Sequence, residues 1–153
     1  MPLTNFGVVT DGLTRSAQPT DSSGYNELVH LGVTRIYKLD KQSEYSIALE
    51  RKFFPEGEVM DSTVGQLFPS EPEVRAIVAS IQGVVQGGRR AHVHCVHGTD
   101  RTGLICAAYQ LLVLRMPIGA VLAQRSSFGT TWYGDMLWDH NIVALLKSMG
   151  GAG

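Results

Sequence analysis

The chain has 153 residues, of which 44% are hydrophobic and 18% are charged, and its 13 basic side chains nearly balance 14 acidic ones. This composition is typical of a globular protein with one core and excludes disordered and fibrous classes. The net charge of −1 argues against a general attraction to nucleic acid or to an anionic membrane.

Two cysteines, Cys95 and Cys106, are too few for a disulfide framework. The N-terminus has no basic segment followed by an apolar stretch, which predicts no secretory signal. No apolar run approaches the roughly 18 residues of a membrane span. We therefore expect a cytoplasmic protein, with one domain over residues 1–150, a flexible tail at 151–153, and a monomeric state.

Predicted strands and helices alternate in the first half of the chain. The predicted order is strands at 6–10 and 13–17, a helix from about 20 to 32, a strand at 34–40, a helix at 43–54 and a short strand at 58–60. Asp11 and Gly12 form the hairpin signal between the first two strands. Thr20 or Asp21 is the expected cap of the first helix, and Gly32 its end.

Helices dominate the second half. An irregular loop at 61–72 precedes a helix at 71–86, a strand at 89–95, a loop at 96–101, and helices at 102–114, 117–127 and 133–149. Early alternation followed by helices predicts an α/β fold, a three-layer sandwich whose central, mostly parallel sheet is flanked by helices.

The stretch from Ala91 to Tyr109 carries the chemistry of this sequence. A strand, a short loop and a helix build an anion cradle, because loop amides and the positive end of the helix dipole face the same point. Gly98 allows the backbone to curl tightly, and Arg101 offers a planar fork to two oxygens. Cys95, at the end of the strand, is then surrounded by donors that favour a thiolate nucleophile.

The ten residues His94-Cys95-Val96-His97-Gly98-Thr99-Asp100-Arg101-Thr102-Gly103 resemble the His-Cys-x5-Arg-Thr/Ser-Gly loop of cysteine-dependent protein tyrosine and dual-specificity phosphatases. The element order is similar to the dual-specificity-phosphatase-like fold, and "GLTRSAQPT" resembles the opening of small bacterial members. The resemblance implies a phosphate-binding loop that comprises Val96, His97, Gly98, Thr99, Asp100 and Arg101.

The same resemblance implies a two-step hydrolysis of phosphomonoesters without a cofactor or metal. Cys95 attacks phosphorus to form a phosphocysteine, Arg101 stabilises the equatorial oxygens, and Thr102 assists release of the thiolate. The general acid is open between two aspartates: Asp61 follows a predicted strand and opens a loop, whereas Asp100 lies within the phosphate loop. Asp40, at the end of an earlier strand, is a third candidate.

A zinc site is the main alternative for the histidine-rich stretch, with His92, His94, Cys95 and His97 as ligands. Neighbouring His94 and Cys95 point to opposite faces of a strand, and zinc leaves Arg101 unexplained. We therefore expect His94 to be a neutral residue that orients the loop.

Several further side chains carry two interpretations each. His97 either lines the pocket rim or is a solvated loop residue, and Arg15 either reaches toward the site or is structural. Cys106 is expected to pack in a helix, with a disulfide to Cys95 as the alternative. A solvated turn is favoured over an anion patch for Arg89 and Arg90, and packing over substrate stacking for Trp132, Tyr133 and Trp138.

The sequence supports three hypotheses for the function. The first is a phosphatase acting on phosphotyrosine, phosphoserine or phosphothreonine, a phosphoinositide or another small phosphomonoester. The second is an RNA 5′-triphosphatase, because the loop also resembles the His-Cys-Thr-His-Gly-x-Asn-Arg-Thr-Gly loop of those enzymes; the net charge makes nucleic acid an unfavoured partner. The third is a catalytically silent phosphate-binding module.

Overall fold

The computed structural model describes residues 3–41, 47–55, 57–62, 69–129 and 139–150. Its elements, in chain order, are β1 (Gly7–Thr10), β2 (Leu13–Ala17), α1 (Ser22–His30), β3 (Arg35–Lys38), α2 (Glu50–Phe53), β4 (Val59–Asp61), α3 (Glu71–Gln86), β5 (Ala91–Cys95), α4 (Asp100–Leu112), α5 (Ile118–Ser127) and α6 (Asp139–Gly150). None of the helices in these ranges is long and apolar enough to cross a membrane.

The five strands form one sheet in the order β1-β2-β5-β3-β4. β1 and β2 form the antiparallel hairpin predicted around Asp11 and Gly12, and the other three pairs are parallel. Parallel strands place their carboxyl ends at one edge of the sheet, where α/β proteins bind ligands. The predicted fold class, a mostly parallel sheet between helices, is confirmed.

Two apolar cores, one on each face of the sheet, define the three layers. The larger core joins α3, α4, α5 and α6 to the sheet, and its buried side chains include Leu13, Val78, Ile81, Val93, Leu104, Ile105, Val121, Ile142 and Leu146. The smaller core joins α1 and α2 to the other face through Leu3, Tyr25, Leu28, Val33, Ile36, Ile47, Phe54 and Val59. Ten of the 13 residues of α4 are buried, so this helix lies at the centre of the larger core.

Strands β2 and β5 divide their side chains between the two layers because neighbouring residues of a strand point to opposite faces. Ala91, Val93 and Cys95 of β5 belong to the larger core. His92 and His94 lie between them in sequence and turn to the opposite face. Cys95 is thus directed toward α4, whereas its neighbour His94 is directed toward α1 and α2.

Several element boundaries differ from the sequence prediction. Helix α4 begins at Asp100 rather than at residue 102, because an acidic side chain is favourable in the first turn of a helix. Asp61 is the last residue of β4, paired with Lys38, rather than the first residue of a loop. Of the helix predicted over 43–54, the described part is helical only over Glu50–Phe53, and Pro55 follows.

Other predicted features fall at their expected places. The carboxylate of Asp21 caps α1 by accepting from the amides of Ser23 (2.9 Å) and Gly24 (3.3 Å). Gly32, with φ +84°, follows the end of that helix. Residues 43–46, 130–138 and the tail at 151–153 lie outside the described residues, as do the aromatic side chains at positions 132, 133 and 138.

Candidate active site

Cys95 ends the central strand and lies buried beneath the loop that follows it. The residue as a whole is 2% exposed. The amide of Thr102, in the first turn of α4, donates to its sulfur over 3.4 Å. An amide that a helix N-terminus directs at an atom favours negative charge there.

The carbonyl groups of the loop over residues 96–99 are hydrogen-bonded to the surrounding protein. The carbonyl of Val96 accepts from the amide of Gln18 (3.2 Å). The side-chain amide of Asn5 donates to the carbonyls of His97 (3.2 Å) and Gly98 (3.3 Å). With these carbonyls held by the surrounding protein, the loop's own amides are available to an oxyanion.

Gly98 is the point at which the loop touches the neighbouring strand. Its φ is +72°, and a Cβ at this position would lie 2.6 Å from the amide nitrogen of Ala17 and from the carbonyl carbon of Ser16. Both neighbours are backbone atoms of β2 and cannot rotate away. Only glycine fits here, and the close contact fixes the height of the loop above β2.

Asp100, Arg101 and Thr102 form the first turn of α4. Asp100 and Arg101 are half-buried and Thr102 is buried. The carbonyl of Thr99 accepts from the amide of Gly103 (2.7 Å), which closes the turn. Asp100, Arg101 and Thr102, which the resemblance implicates, therefore extend from one helix end. His97, earlier in the loop, is exposed.

Asp61 lies at the same edge of the sheet as Cys95. The register pairs Lys38 of β3 with Asp61 on one side and with His94 on the other. Because neighbouring strands are about 4.8 Å apart, the backbone of Asp61 lies roughly 10 Å across the sheet from that of His94. Its side chain is exposed. In the register it belongs to the face of His94, opposite to that of Cys95, so its contact with a substrate at Cys95 stays a prediction.

His94 lies between two buried carboxylates. Its Nδ1 is 3.4 Å from Oδ1 of Asp40, and its Nε2 contacts Oε1 of Glu50. Lys38 is bonded to the other oxygen of Asp40 (2.8 Å), and all four side chains are fully buried. Burial lowers the pKa of His94, but the two carboxylates outweigh burial and raise it.

This quartet of Lys38, Asp40, Glu50 and His94 is electrically neutral only when the imidazole carries a proton. Buried charges persist where they are paired, so the structure favours a charged ring, which differs from the neutral His94 expected from the sequence. Burial raises the pKa of Asp40, but His94 and Lys38 outweigh it and lower that pKa. A buried carboxylate that stays ionised is no proton donor, which removes Asp40 as a candidate acid.

His92 is a neutral ring with an assignable tautomer. Ser16 donates its only hydroxyl proton to the carbonyl of Ala17 (2.7 Å), so it accepts from Nε2 of His92 (2.8 Å). Nδ1 of His92 then accepts from the hydroxyl of Thr14 (2.7 Å). Burial, together with the charge of His94, holds the pKa of His92 well below its usual value.

These contacts bear on the zinc alternative. Both ring nitrogens of His92 and of His94 are directed at protein groups, and Cys95 points to the other face of β5. No group of three or more His, Cys, Asp or Glu side chains in the described ranges is arranged to hold a metal ion. The histidine-rich stretch instead supports the strand that carries Cys95.

Two buried arginines and an asparagine lie near the loop; the sequence left Arg15 open between a site role and a structural role, and it did not indicate Asn5 or Arg125. Asn5 bonds the loop carbonyls, as described above, and Arg15 donates to the carbonyl of Gly98 (2.8 Å). Arg125 of α5 is 5% exposed and lies against Gly103, with its Nε 3.8 Å from where a Cβ would be. Nothing in the local sequence of Asn5 or Arg125 signals this placement, since both are brought in by tertiary packing.

The remaining candidates are placed as follows. Cys106 is a free, buried thiol in α4, and burial raises its pKa to about 11; Cys95 is also free. Arg89 binds Glu58 (2.5 Å), and Arg90 donates to the carbonyl of Leu31 (2.9 Å). Both arginines lie at the amino end of β5, at the opposite edge of the sheet from Cys95.

The fold and site were compared with known proteins. No protein-family model matches the chain, and no curated protein sequence matches it. Among solved structures, the active form of Tk-PTP superposes with a TM-score of 0.78 at 17% identity, covering 95% of this chain and 96% of that one. TpbA from P. aeruginosa gives 0.75 at 22% identity, covering 95% and 84%.

The human tyrosine phosphatase-like serine/threonine/tyrosine-interacting protein gives a TM-score of 0.70 at 18% identity, covering 94% and 93% of the two chains. The chain has the fold of the protein tyrosine and dual-specificity phosphatases. The likeness covers nearly the whole of each chain, so the fold that the ten-residue loop implied is confirmed. At these identities the likeness establishes the fold alone, and the chemistry has to be argued from the site.

Proposed function

We propose that the chain is a cysteine-dependent phosphatase that hydrolyses phosphomonoesters through a phosphocysteine intermediate. The observation that carries the proposal is the position of Cys95, which is buried under a loop whose carbonyls are hydrogen-bonded to the surrounding protein and lies 3.4 Å from the amide of Thr102. This arrangement supplies amide donors for the oxygens of a phosphoryl group. Arg101, in the same helical turn, adds a bidentate donor to them.

In the first step, the thiolate of Cys95 forms a bond to phosphorus while the bond from phosphorus to the leaving oxygen breaks. Asp61 gives its proton to that oxygen, which leaves as an alcohol. In the second step, water transfers a proton to Asp61 and bonds to phosphorus, and the bond from sulfur to phosphorus breaks. The hydroxyl of Thr102 donates to the departing thiolate, which lowers the cost of its negative charge.

The choice of Asp61 over Asp100 is part of this proposal. The exposed side chain of Asp61, at the carboxyl edge of the sheet, favours contact with the leaving group of a bound substrate. Asp100 has another physical reason for its position, because an acidic residue in the first turn stabilises α4. We assign Asp100, with Val96, His97, Gly98, Thr99 and Arg101, to the loop that surrounds the phosphate.

The substrate class is a phosphorylated protein or a small phosphomonoester. A form of TpbA with a cysteine-to-serine substitution has been crystallised in complex with phosphotyrosine, which makes phosphotyrosine the first substrate to test. An RNA 5′-triphosphate would need a basic groove, and the near-neutral chain does not favour it.

A substrate panel tests the proposal: phosphotyrosine and phosphothreonine peptides, phosphoinositides, and RNA with a 5′-triphosphate. We expect hydrolysis of at least one monoester by the wild type and none by Cys95→Ser, because the serine hydroxyl is a far weaker nucleophile. Equal turnover by both proteins would contradict the covalent mechanism. Binding of phosphate without turnover of any substrate would instead support a silent phosphate-binding module.

A further inference from the structure

Arg15 is buried beneath the phosphate loop, although it lies 80 residues before Cys95 in the sequence. It is the central residue of β2, pairs with Val93 of β5, and is 3% exposed. Its Nη2 donates to the carbonyl of Gly98 over 2.8 Å. The guanidinium therefore holds one of the carbonyls that has to point away from the site if the loop amides are to face a bound anion.

Phe128 fixes the orientation of this guanidinium. The central carbon of the guanidinium lies 3.8 Å from the centre of the Phe128 ring, which is the geometry of a cation–π contact. The ring is also packed against Gly7, where a Cβ would lie 2.3 Å from Cζ of the ring. Arg15 is thus held between a packed aromatic ring and the loop.

No carboxylate of the described residues matches the charge of Arg15. Within the described ranges no Asp or Glu forms an ion pair with it, and its Nε has no hydrogen-bond partner there. The described groups near its guanidinium are positive or neutral: Gly103 at the N-terminus of α4, against which Arg125 also lies, and the thiol of Cys106. A buried cation without a counter-charge is costly, and an anion held in the loop would supply that charge.

We infer that Arg15 is a second arginine of the phosphate site, one that acts from beneath the loop: it positions the amides through the Gly98 carbonyl, and its charge is compensated by the bound oxyanion. Arg101 touches the substrate in the proposed function, on which this inference rests, whereas Arg15 is a positioning residue. The consequence is a trade between stability and affinity, because the group that strengthens anion binding leaves the empty protein with a buried charge that no carboxylate of the described ranges compensates.

The test is to measure tungstate and inorganic phosphate binding by calorimetry, and thermal midpoints with and without each ion, for the wild type and Arg15→Met. We expect affinity to fall by about 10- to 100-fold, the usual worth of one charge-assisted hydrogen bond. The thermal midpoint of the empty protein should stay level or rise, since methionine fills the space without a charge. A merely structural role for Arg15 would lower that midpoint and leave affinity in the folded fraction unchanged.

Two further variants complete the design. Arg15→Lys keeps the charge but not the planar fork, so its affinity should lie between those of the wild type and Arg15→Met. Phe128→Leu keeps an apolar side chain but removes the ring face, and should weaken binding by about 3- to 30-fold. Phe128→Leu still tests the role of Arg15 if Arg15→Met does not fold. Arg35→Met, whose arginine binds Glu58 at the far edge of the sheet, is the matched control and should bind like the wild type.

Wild-type affinity in Arg15→Met or in Phe128→Leu would overturn the inference. Because the readout is oxyanion binding, it does not depend on turnover. A wild type that binds tungstate but hydrolyses no phosphomonoester would refute the proposed function and still leave Arg15 to be judged by these affinities. A wild type that binds neither ion would overturn both.

Discussion

Substitution of Gly98 by alanine tests the height of the phosphate loop above β2. The φ of +72° is a left-handed conformation that costs a non-glycine residue about 1–2 kcal/mol. The added methyl group would also lie 2.6 Å from two backbone atoms of β2, and overpacking of this kind costs about 1–3 kcal/mol. Together we expect about 2–5 kcal/mol of lost stability, and a loop displaced from Cys95.

The assay compares thermal midpoints and kcat/KM for Gly98→Ala and Gly88→Ala. Gly88 has a similar φ of +79° but nothing within 4 Å of its would-be Cβ, so it incurs only the conformational cost. For a chain of this size, 1 kcal/mol shifts the midpoint by about 2–4 °C. We therefore expect losses of about 4–20 °C for Gly98→Ala and about 2–8 °C for Gly88→Ala, with activity lost only in the former. Similar midpoints and full activity in both variants would show that the loop does not rest on β2.

Three more predictions concern the site. Asp61→Asn should slow hydrolysis of a phosphopeptide by about 10²–10⁴-fold and hydrolysis of an activated aryl phosphate much less. It should also flatten the basic limb of the pH–rate profile, whereas Asp100→Asn should keep that limb. The opposite result would make Asp100 the general acid. Glu50→Gln should destabilise the protein by about 3–5 kcal/mol in urea unfolding at pH 6. That loss should shrink at high pH, because the raised pKa of His94 gives stability that is complete below about pH 6.5 and lost as pH rises through the folded value; a loss that does not change with pH would contradict a charged His94. Chelators and added zinc should leave activity unchanged. Loss of activity on chelation and its recovery with stoichiometric zinc would indicate that the histidines are metal ligands.

The sequence alone was sufficient for the fold class and for the position of the phosphate loop. Both depend on local patterns: β-branched residues in strands, an Asp-Gly turn, a capped helix, and a glycine between Cys95 and Arg101. Such patterns act over a few residues, so they can be recognised without knowledge of the tertiary structure. The resemblance of the ten-residue loop then implied the parallel sheet that surrounds it.

The environment of the loop could not be predicted in the same way. Asn5 reaches it from the segment before β1, Arg15 reaches it from β2, and Glu50 reaches His94 from α2. A half-buried asparagine or a buried carboxylate has no periodic signature, because its partner is distant in sequence. The carboxylate contacts of His94 are of this kind, since only the folded chain brings Asp40 and Glu50 to one ring.

The most direct test of the central claim is to trap the intermediate. Wild-type protein is mixed with a labelled phosphomonoester, quenched within a turnover, digested, and analysed by mass spectrometry. We expect phosphate on the peptide that contains Cys95, attached to sulfur, and none in Cys95→Ser. Multiple turnovers without any phosphorylated cysteine, or phosphate attached to another residue of the wild type, would contradict the account.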